Sequence, residues 1–141
     1  MAHLPAVAAA AAVFGLAAAG ATAADYTDLP LDTSTQVGGY EVACTGVGQT
    51  KHDPKWLAFP VRVEFSDAKS NYLGGGKITV SSHGKQLLRV SCDAPMILLK
   101  LPAGEYAVEG LPIDTPAKPK SATFHSKAKG QMRLVLQFPD T

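Results

Sequence analysis

The sequence lacks the short motifs by which many enzymes are recognised. It contains no Gly-x-Ser-x-Gly nucleophile elbow, no phosphate-binding loop and no His-Glu-x-x-His zinc helix. Its 13 basic and 12 acidic residues nearly cancel, so the chain has no strong net charge to attract nucleic acid or an anionic membrane. We therefore expect no catalytic residues, no cofactor and no nucleic-acid partner.

Histidines are few and widely spaced. His52, His83 and His125 each lie in a predicted loop or beside a charged residue. A metal site would need them to converge with Asp53 or Asp93 at ligand distances of about 2 Å. The sequence favours solvated surface histidines over metal ligands.

Lysine and arginine are missing before Lys51, and the chain begins with an apolar segment. Residues 4–19 are all apolar or small, and residues 21–23 supply small side chains of the kind that a signal peptidase cleaves after. We expect residues 1–23 to be an export signal, which predicts a periplasmic or secreted protein with no stable membrane span after cleavage. A retained membrane anchor is the alternative, but no basic stop-transfer flank follows the apolar run.

The remaining 118 residues suit one domain with one hydrophobic core. Residues 24–38 are rich in turn formers and show no periodicity, so we expect a flexible leader before a domain over residues 39–141. Within that domain apolar and polar residues alternate in eight short runs, which are residues 40–45, 61–65, 78–80, 87–92, 97–101, 106–108, 122–125 and 132–138. No stretch has helical periodicity, and this pattern predicts an all-β antiparallel sandwich.

A Pro-Ala-Gly break divides two of these runs. Pro102 presets the backbone for a turn and Gly104 can adopt a positive φ, while the residues on both sides keep a period of two. The pattern predicts a hairpin over residues 94–108, with its two strands paired to each other.

The same stretch carries a resemblance to a known family. Residues 101–106, Leu-Pro-Ala-Gly-Glu-Tyr, resemble the Leu-Pro-x-Gly-x-Tyr signature of carboxypeptidase regulatory-like domains, and the similarity extends over residues 40–138. The resemblance implies a transthyretin-like, or prealbumin-like, sandwich of about seven to eight strands. It also implies a non-catalytic module that acts by binding, here to an unknown envelope or secreted protein.

One enzymatic alternative comes from the same fold group. Transthyretin-related proteins that hydrolyse ureides carry a C-terminal Tyr-Arg-Gly-Ser motif, whereas this chain ends in Phe-Pro-Asp-Thr. A small hydrolase of this type is therefore the second functional hypothesis.

The two cysteines lie on the apolar phases of their predicted strands. Cys44 follows Val42, and Cys92 follows Leu88 and Val90, so both thiols are expected to face one core. Because export leads to an oxidising compartment, we predict a Cys44–Cys92 disulfide. Two separate buried thiols are the alternative.

One predicted loop combines charge with the single tryptophan. Residues 48–59 contain His52, Asp53, Lys55 and Trp56, a mixture enriched at binding hot spots. We predict that these four residues form a recognition surface. In the alternative, Trp56 only caps the hydrophobic core.

Overall fold

The computed structural model describes residues 25–139 and residue 141. The predicted export signal over residues 1–23 lies outside the described residues. Within the described part, no helix has the length and apolar composition needed to cross a membrane.

The described chain is all-β, as the sequence predicts. Its regular elements are ten strands and two 3₁₀ helices, Gly48–His52 and Pro54–Ala58. The strands are β1 (Thr27–Asp28), β2 (Ser34–Val37), β3 (Tyr40–Thr45), β4 (Val61–Asp67), β5 (Gly76–Ser82), β6 (Lys85–Cys92), β7 (Met96–Leu99), β8 (Gly104–Pro112), β9 (Lys120–Ser126) and β10 (Met132–Phe138).

The strands form two five-stranded sheets packed as a sandwich. The first sheet has the order β1-β6-β5-β8-β9, and the second has the order β10-β4-β7-β3-β2. All neighbours are antiparallel except the β1–β6 and β10–β4 pairs, which are parallel. The β-sandwich prediction is confirmed, although two pairs are parallel and two strands lie outside the eight predicted runs.

The two additional strands lie in the predicted leader. Within residues 24–38, β1 pairs with β6 and β2 pairs with β3, and Leu29 between them is buried in the core. Gly38 and Gly39, both at positive φ, form the tight turn that joins β2 to β3. The expectation of a leader without regular structure is therefore wrong for these two segments. An edge strand can form by pairing with an existing sheet, without an alternating pattern of its own.

The predicted hairpin over residues 94–108 is also wrong. β7 pairs with β3 and β4 in the second sheet, whereas β8 pairs with β5 and β9 in the first. The Pro102–Gly104 segment therefore carries the chain from one sheet to the other. Two hydrogen bonds fix this crossing: the Tyr106 hydroxyl donates to the Pro102 carbonyl at 2.7 Å, and Ser126 Oγ donates to the Leu101 carbonyl at 2.8 Å.

One hydrophobic core fills the space between the sheets. Alternate residues of the inner strands point into it, among them Val42, Val63, Phe65 and Ile97. Cys44 on β3 and Cys92 on β6 are fully buried there and form a disulfide with a Cα–Cα distance of 5.5 Å. The predicted bridge is present, and it joins the two sheets directly.

Candidate functional site

The 48–59 loop lies on the outer face of the second sheet. On that face β3 presents Ala43 and β7 presents Leu98, because their neighbours in sequence point into the core. Trp56 and Phe59 pack on these two side chains and form a small second core with them. The loop is therefore fixed to the sheet by its own aromatic residues.

Local sequence explains why the loop presents these aromatics on one side. The Asp53 carboxylate accepts a hydrogen bond from the Lys55 backbone N–H at 2.9 Å, and Pro54 occupies the first position of the second 3₁₀ helix. Residues three apart lie on the same side of a 3₁₀ helix, so Trp56 and Phe59 both face the sheet. Leu57 between them points outward and is 68% exposed.

Hydrogen bonds hold the loop from both ends. Trp56 Nε1 donates to the Thr50 carbonyl at 2.7 Å. Gln131 directly precedes β10, and its side-chain amide donates to the carbonyls of Trp56 and Phe59 at 2.8 and 2.9 Å. These contacts fix the loop backbone at Thr50, Trp56 and Phe59 through groups of the same chain.

A second anchor comes from the chain segment before β2. Asp32 accepts hydrogen bonds from the hydroxyls of Thr45 at 2.7 Å and Thr50 at 3.0 Å. The Asp32 carboxylate therefore ties the segment between β1 and β2 to both the end of β3 and the first 3₁₀ helix. Sequence reasoning missed this residue, because it lies in the range predicted to be a flexible leader.

The four predicted site residues differ in exposure. His52, Asp53 and Lys55 are exposed, whereas Trp56 is 5% exposed. Trp56 is thus buried and not an exposed platform, but it covers the outer face of the second sheet and is not part of the core between the sheets. The exposed apolar residue of the loop is Leu57, which sequence reasoning missed. The Asp-Pro start of the 3₁₀ helix was the available signal, because it sets which side chains face the sheet.

Two hollows flank the buried tryptophan. The first, of about 340 Å³, is lined mainly by Asp32, Glu41, Lys55, Trp56, Phe59 and Lys100. In it Lys100 Nζ lies 3.0 Å from Glu41 Oε1, and Lys55 Nζ lies 4.6 Å from the centroid of the Trp56 ring. The hydrogen bond from Lys100, assisted by one from Ser34, lowers the pKa of Glu41.

The second hollow contains the predicted histidine and aspartate. It has a volume of about 250 Å³ and is lined by His52, Asp53, Leu57, Arg62 and Gln131, together with neighbouring residues of the loop. The loop therefore divides the predicted residues between two hollows: Lys55 lines one, His52 and Asp53 line the other, and Trp56 lines both.

A buried ion cluster lies beside the loop on the same face. The Glu64 side chain is completely buried, and it accepts hydrogen bonds from Arg62 Nε and, at 2.7 Å, from Arg133 Nη2. Burial by itself raises the pKa of Glu64, but the hydrogen bonds from Arg133 and Arg62 outweigh it and lower the pKa below its ordinary value. The hydrogen bond to Glu64 in turn raises the pKa of Arg133.

The three histidines in the described part of the chain lie apart from one another. His52 is in the 48–59 loop, His83 is in the β5–β6 turn, and exposed His125 on β9 lies 3.5 Å from Glu105 Oε2. Across residues 25–139 and 141, no group of three or more His, Cys, Asp or Glu side chains is placed to hold a metal ion.

Comparison with known proteins adds no family assignment. No protein-family model matches the sequence, and a search of curated proteins finds no match. The resemblance to carboxypeptidase regulatory-like domains therefore stays a prediction.

Proposed function

We propose that this protein is an exported, non-catalytic β-sandwich that recognises another envelope or secreted protein through the 48–59 loop. The observation that carries the proposal is Leu57, which is 68% exposed although the loop around it is held by buried aromatics and hydrogen bonds. An inter-sheet disulfide supports export, because such bonds persist mainly in oxidising compartments.

The energetics of association favour a loop of this kind. A binding partner that meets a flexible loop must offset the entropy lost when the loop becomes ordered, whereas a pre-ordered loop avoids most of that cost. Leu57 lines the second hollow together with exposed His52 and Asp53, and exposed Lys55 lies two residues before it in the chain. An apolar anchor within a charged rim is the usual anatomy of a binding hot spot.

A small hydrolase remains the alternative. The observation in its favour is that His52, Asp53 and Arg62 line one hollow, and a histidine beside a carboxylate is a common acid–base pair. Turnover of an ester, peptide, glycoside or ureide substrate by the purified mature domain, lost in His52→Ala, would replace the binding proposal with this one.

Site-specific cross-linking tests the binding proposal. A photoreactive amino acid is placed at position 57, and a matched control protein carries it at Thr123, which is exposed on β9 in the first sheet. We expect one protein of the envelope or secreted fraction to cross-link from position 57 and not from position 123. Equal cross-linking from both positions, or none from position 57, would contradict the proposal.

A further inference from the structure

A third hollow lies on the outer face of the second sheet, where β4 and β10 run side by side. Its volume is about 460 Å³, and its lining includes Ser66, Ser70, Tyr72, Arg133 and Val135. The turn after β4 is fixed by Asp67, whose carboxylate accepts hydrogen bonds from the backbone N–H groups of residues 69 and 71 at 2.9 Å. The walls of this hollow are therefore held by a paired strand and an ordered turn.

The charge of the hollow favours an anion. Glu64 also lines it, but this buried carboxylate is paired with Arg133 in the lining and with Arg62, which lines the second hollow, and the three side chains together carry one positive charge. The Arg133 side chain is 57% exposed. Arg133 hydrogen-bonds with the Tyr72 side chain as well as with Glu64. Because a guanidinium has five N–H donors, Arg133 can keep both bonds and still donate to a ligand. Lys51 Nζ, 5.8 Å from the centroid of the Tyr72 ring, adds positive charge nearby.

Ser66 supplies a second, independent observation. This residue is 3% exposed and lines the hollow, yet its hydroxyl has no hydrogen-bond partner among the described residues. A buried hydroxyl without a partner costs free energy, so such groups in folded proteins call for a specific explanation. The hydroxyl oxygen itself has almost no exposed surface, so a ligand in this hollow would satisfy it once the Ser66 side chain turns toward the hollow.

Two walls of the hollow are apolar. They are formed by Tyr72, which is 42% exposed, and by Val135 on β10, which is 39% exposed. Val135 is the register partner of Glu64 across the β10–β4 pair, so the apolar wall adjoins the ion cluster directly. A ligand that fits both parts needs an anionic group and an apolar group.

We propose that this hollow binds a small organic carboxylate that carries an apolar group. The carboxylate accepts hydrogen bonds from Arg133 and Ser66, and the apolar group packs against Tyr72 and Val135. The inference goes beyond the proposed function, because it uses neither Leu57 nor the predicted residues of the 48–59 loop.

A titration followed by NMR tests this site in the folded protein. The probes are N-acetyl-leucine, which represents the end of a peptide, and benzoate, which represents a free aromatic acid. N-acetyl-leucinamide keeps the apolar group without the charge, and sulfate supplies charge without the apolar group. We expect saturable shifts of the backbone amide signals of Ser66, Tyr72 and Val135 with at least one carboxylate and with neither control. The carboxylate that binds more tightly shows whether the site prefers the C-terminal end of a peptide or a free aromatic acid.

Two variants assign the binding to named groups. Ser66→Ala removes the unpartnered hydroxyl, so we expect an equal or higher Tm and an affinity lower by about tenfold for the better carboxylate. Arg133→Gln is expected to lower the affinity by at least about tenfold. Lys129→Gln removes the same charge from an exposed turn and should leave the affinity unchanged.

Several results would overturn the proposal. It fails if neither carboxylate produces saturable shifts, or if N-acetyl-leucinamide or sulfate binds as tightly as the carboxylates. It also fails if Ser66→Ala lowers Tm while affinity stays the same, because the hydroxyl would then serve only the fold. If Arg133→Gln unfolds the protein, the Ser66→Ala result still decides the question.

Discussion

The residues on the outer face of the second sheet include a charged side chain that is fully buried. Glu64 has no solvent-exposed side-chain surface, and Arg62 and Arg133 reach it from the same strand and from the neighbouring one. Both arginines remain partly exposed, with side-chain exposures of 28% and 57%. The cluster therefore keeps the carboxylate ionised while leaving positive charge at the surface.

The lowered pKa of Glu64 predicts a specific pH dependence of stability. The pKa of Glu64 is lower in the folded protein than the value of about 4.3 expected in the unfolded chain. The ionised carboxylate therefore stabilises the fold above about pH 4.3, and this stabilisation is lost as the pH falls through the pKa of the folded state. We expect Glu64→Gln to lower the free energy of unfolding by roughly 1–3 kcal/mol at pH 7. The difference from wild type should shrink below about pH 4.

Urea unfolding at several pH values measures this difference. Glu109→Gln, an exposed change on β8, is the matched control and should have little effect at any pH. A difference between wild type and Glu64→Gln that is independent of pH down to strong acid would contradict the account of the ion cluster.

Trp56 and Leu57 are neighbours in sequence with opposite environments. Trp56 is 5% exposed and Leu57 is 68% exposed, so Trp56→Ala should cost about 3–5 kcal/mol of stability. Leu57→Ala should change stability by no more than about 0.5 kcal/mol. Thermal unfolding of both variants checks the assignment, which would be wrong if the two changes had similar effects.

At the scale of elements, close packing explains why a glycine stands at the start of β5. Gly76 is the first residue of this strand and lies between β6 and β8. A Cβ atom at Gly76 would overlap the ring of Phe65 in the core. The glycine is therefore required by the approach of two sheets.

Gly76→Ala should destabilise the protein by about 1–3 kcal/mol, because Phe65 cannot move without disturbing the core. Gly74→Ala is the control: its added Cβ would meet only the Asp114 carboxylate, the end of an exposed side chain. Chemical denaturation of both variants measures the effect. An equal cost at the two positions would show that the Phe65 contact does not set the requirement.

Strands were easier to predict from the sequence than their partners. All eight alternating runs correspond to strands, because one face of each strand must be apolar to pack in the sandwich. The alternation before and after Pro102 could not reveal that β7 and β8 belong to different sheets, since a hairpin and a crossing share the same local pattern.

Within the site, the charged residues of the loop were predictable. The outward position of Leu57 depends on a 3₁₀ turn, and the Glu64 cluster depends on strands 69 residues apart in sequence.

At the scale of the whole molecule, the Cys44–Cys92 bond joins the two sheets inside the core. The bond encloses a chain segment with a sequence separation of 48, for which the chain-entropy account gives a stabilisation of about 4 kcal/mol. The double variant Cys44→Ala/Cys92→Ala should lose a stability of about that size in denaturant unfolding. Recovery of both cysteines as free thiols by non-reducing peptide mapping of the protein from its native source would contradict the bridge.

The central claim is that an exported sandwich binds a partner protein through Leu57 on a pre-ordered loop. The most direct measurement is the affinity of the cross-linked partner for wild type, Leu57→Asp and the control Thr123→Asp, with equal Tm values confirming that all three are folded. A change at a hot spot should cost at least about 2 kcal/mol, or roughly thirtyfold in Kd, for Leu57→Asp. Thr123→Asp should bind like wild type. An unchanged Kd for Leu57→Asp would contradict the claim.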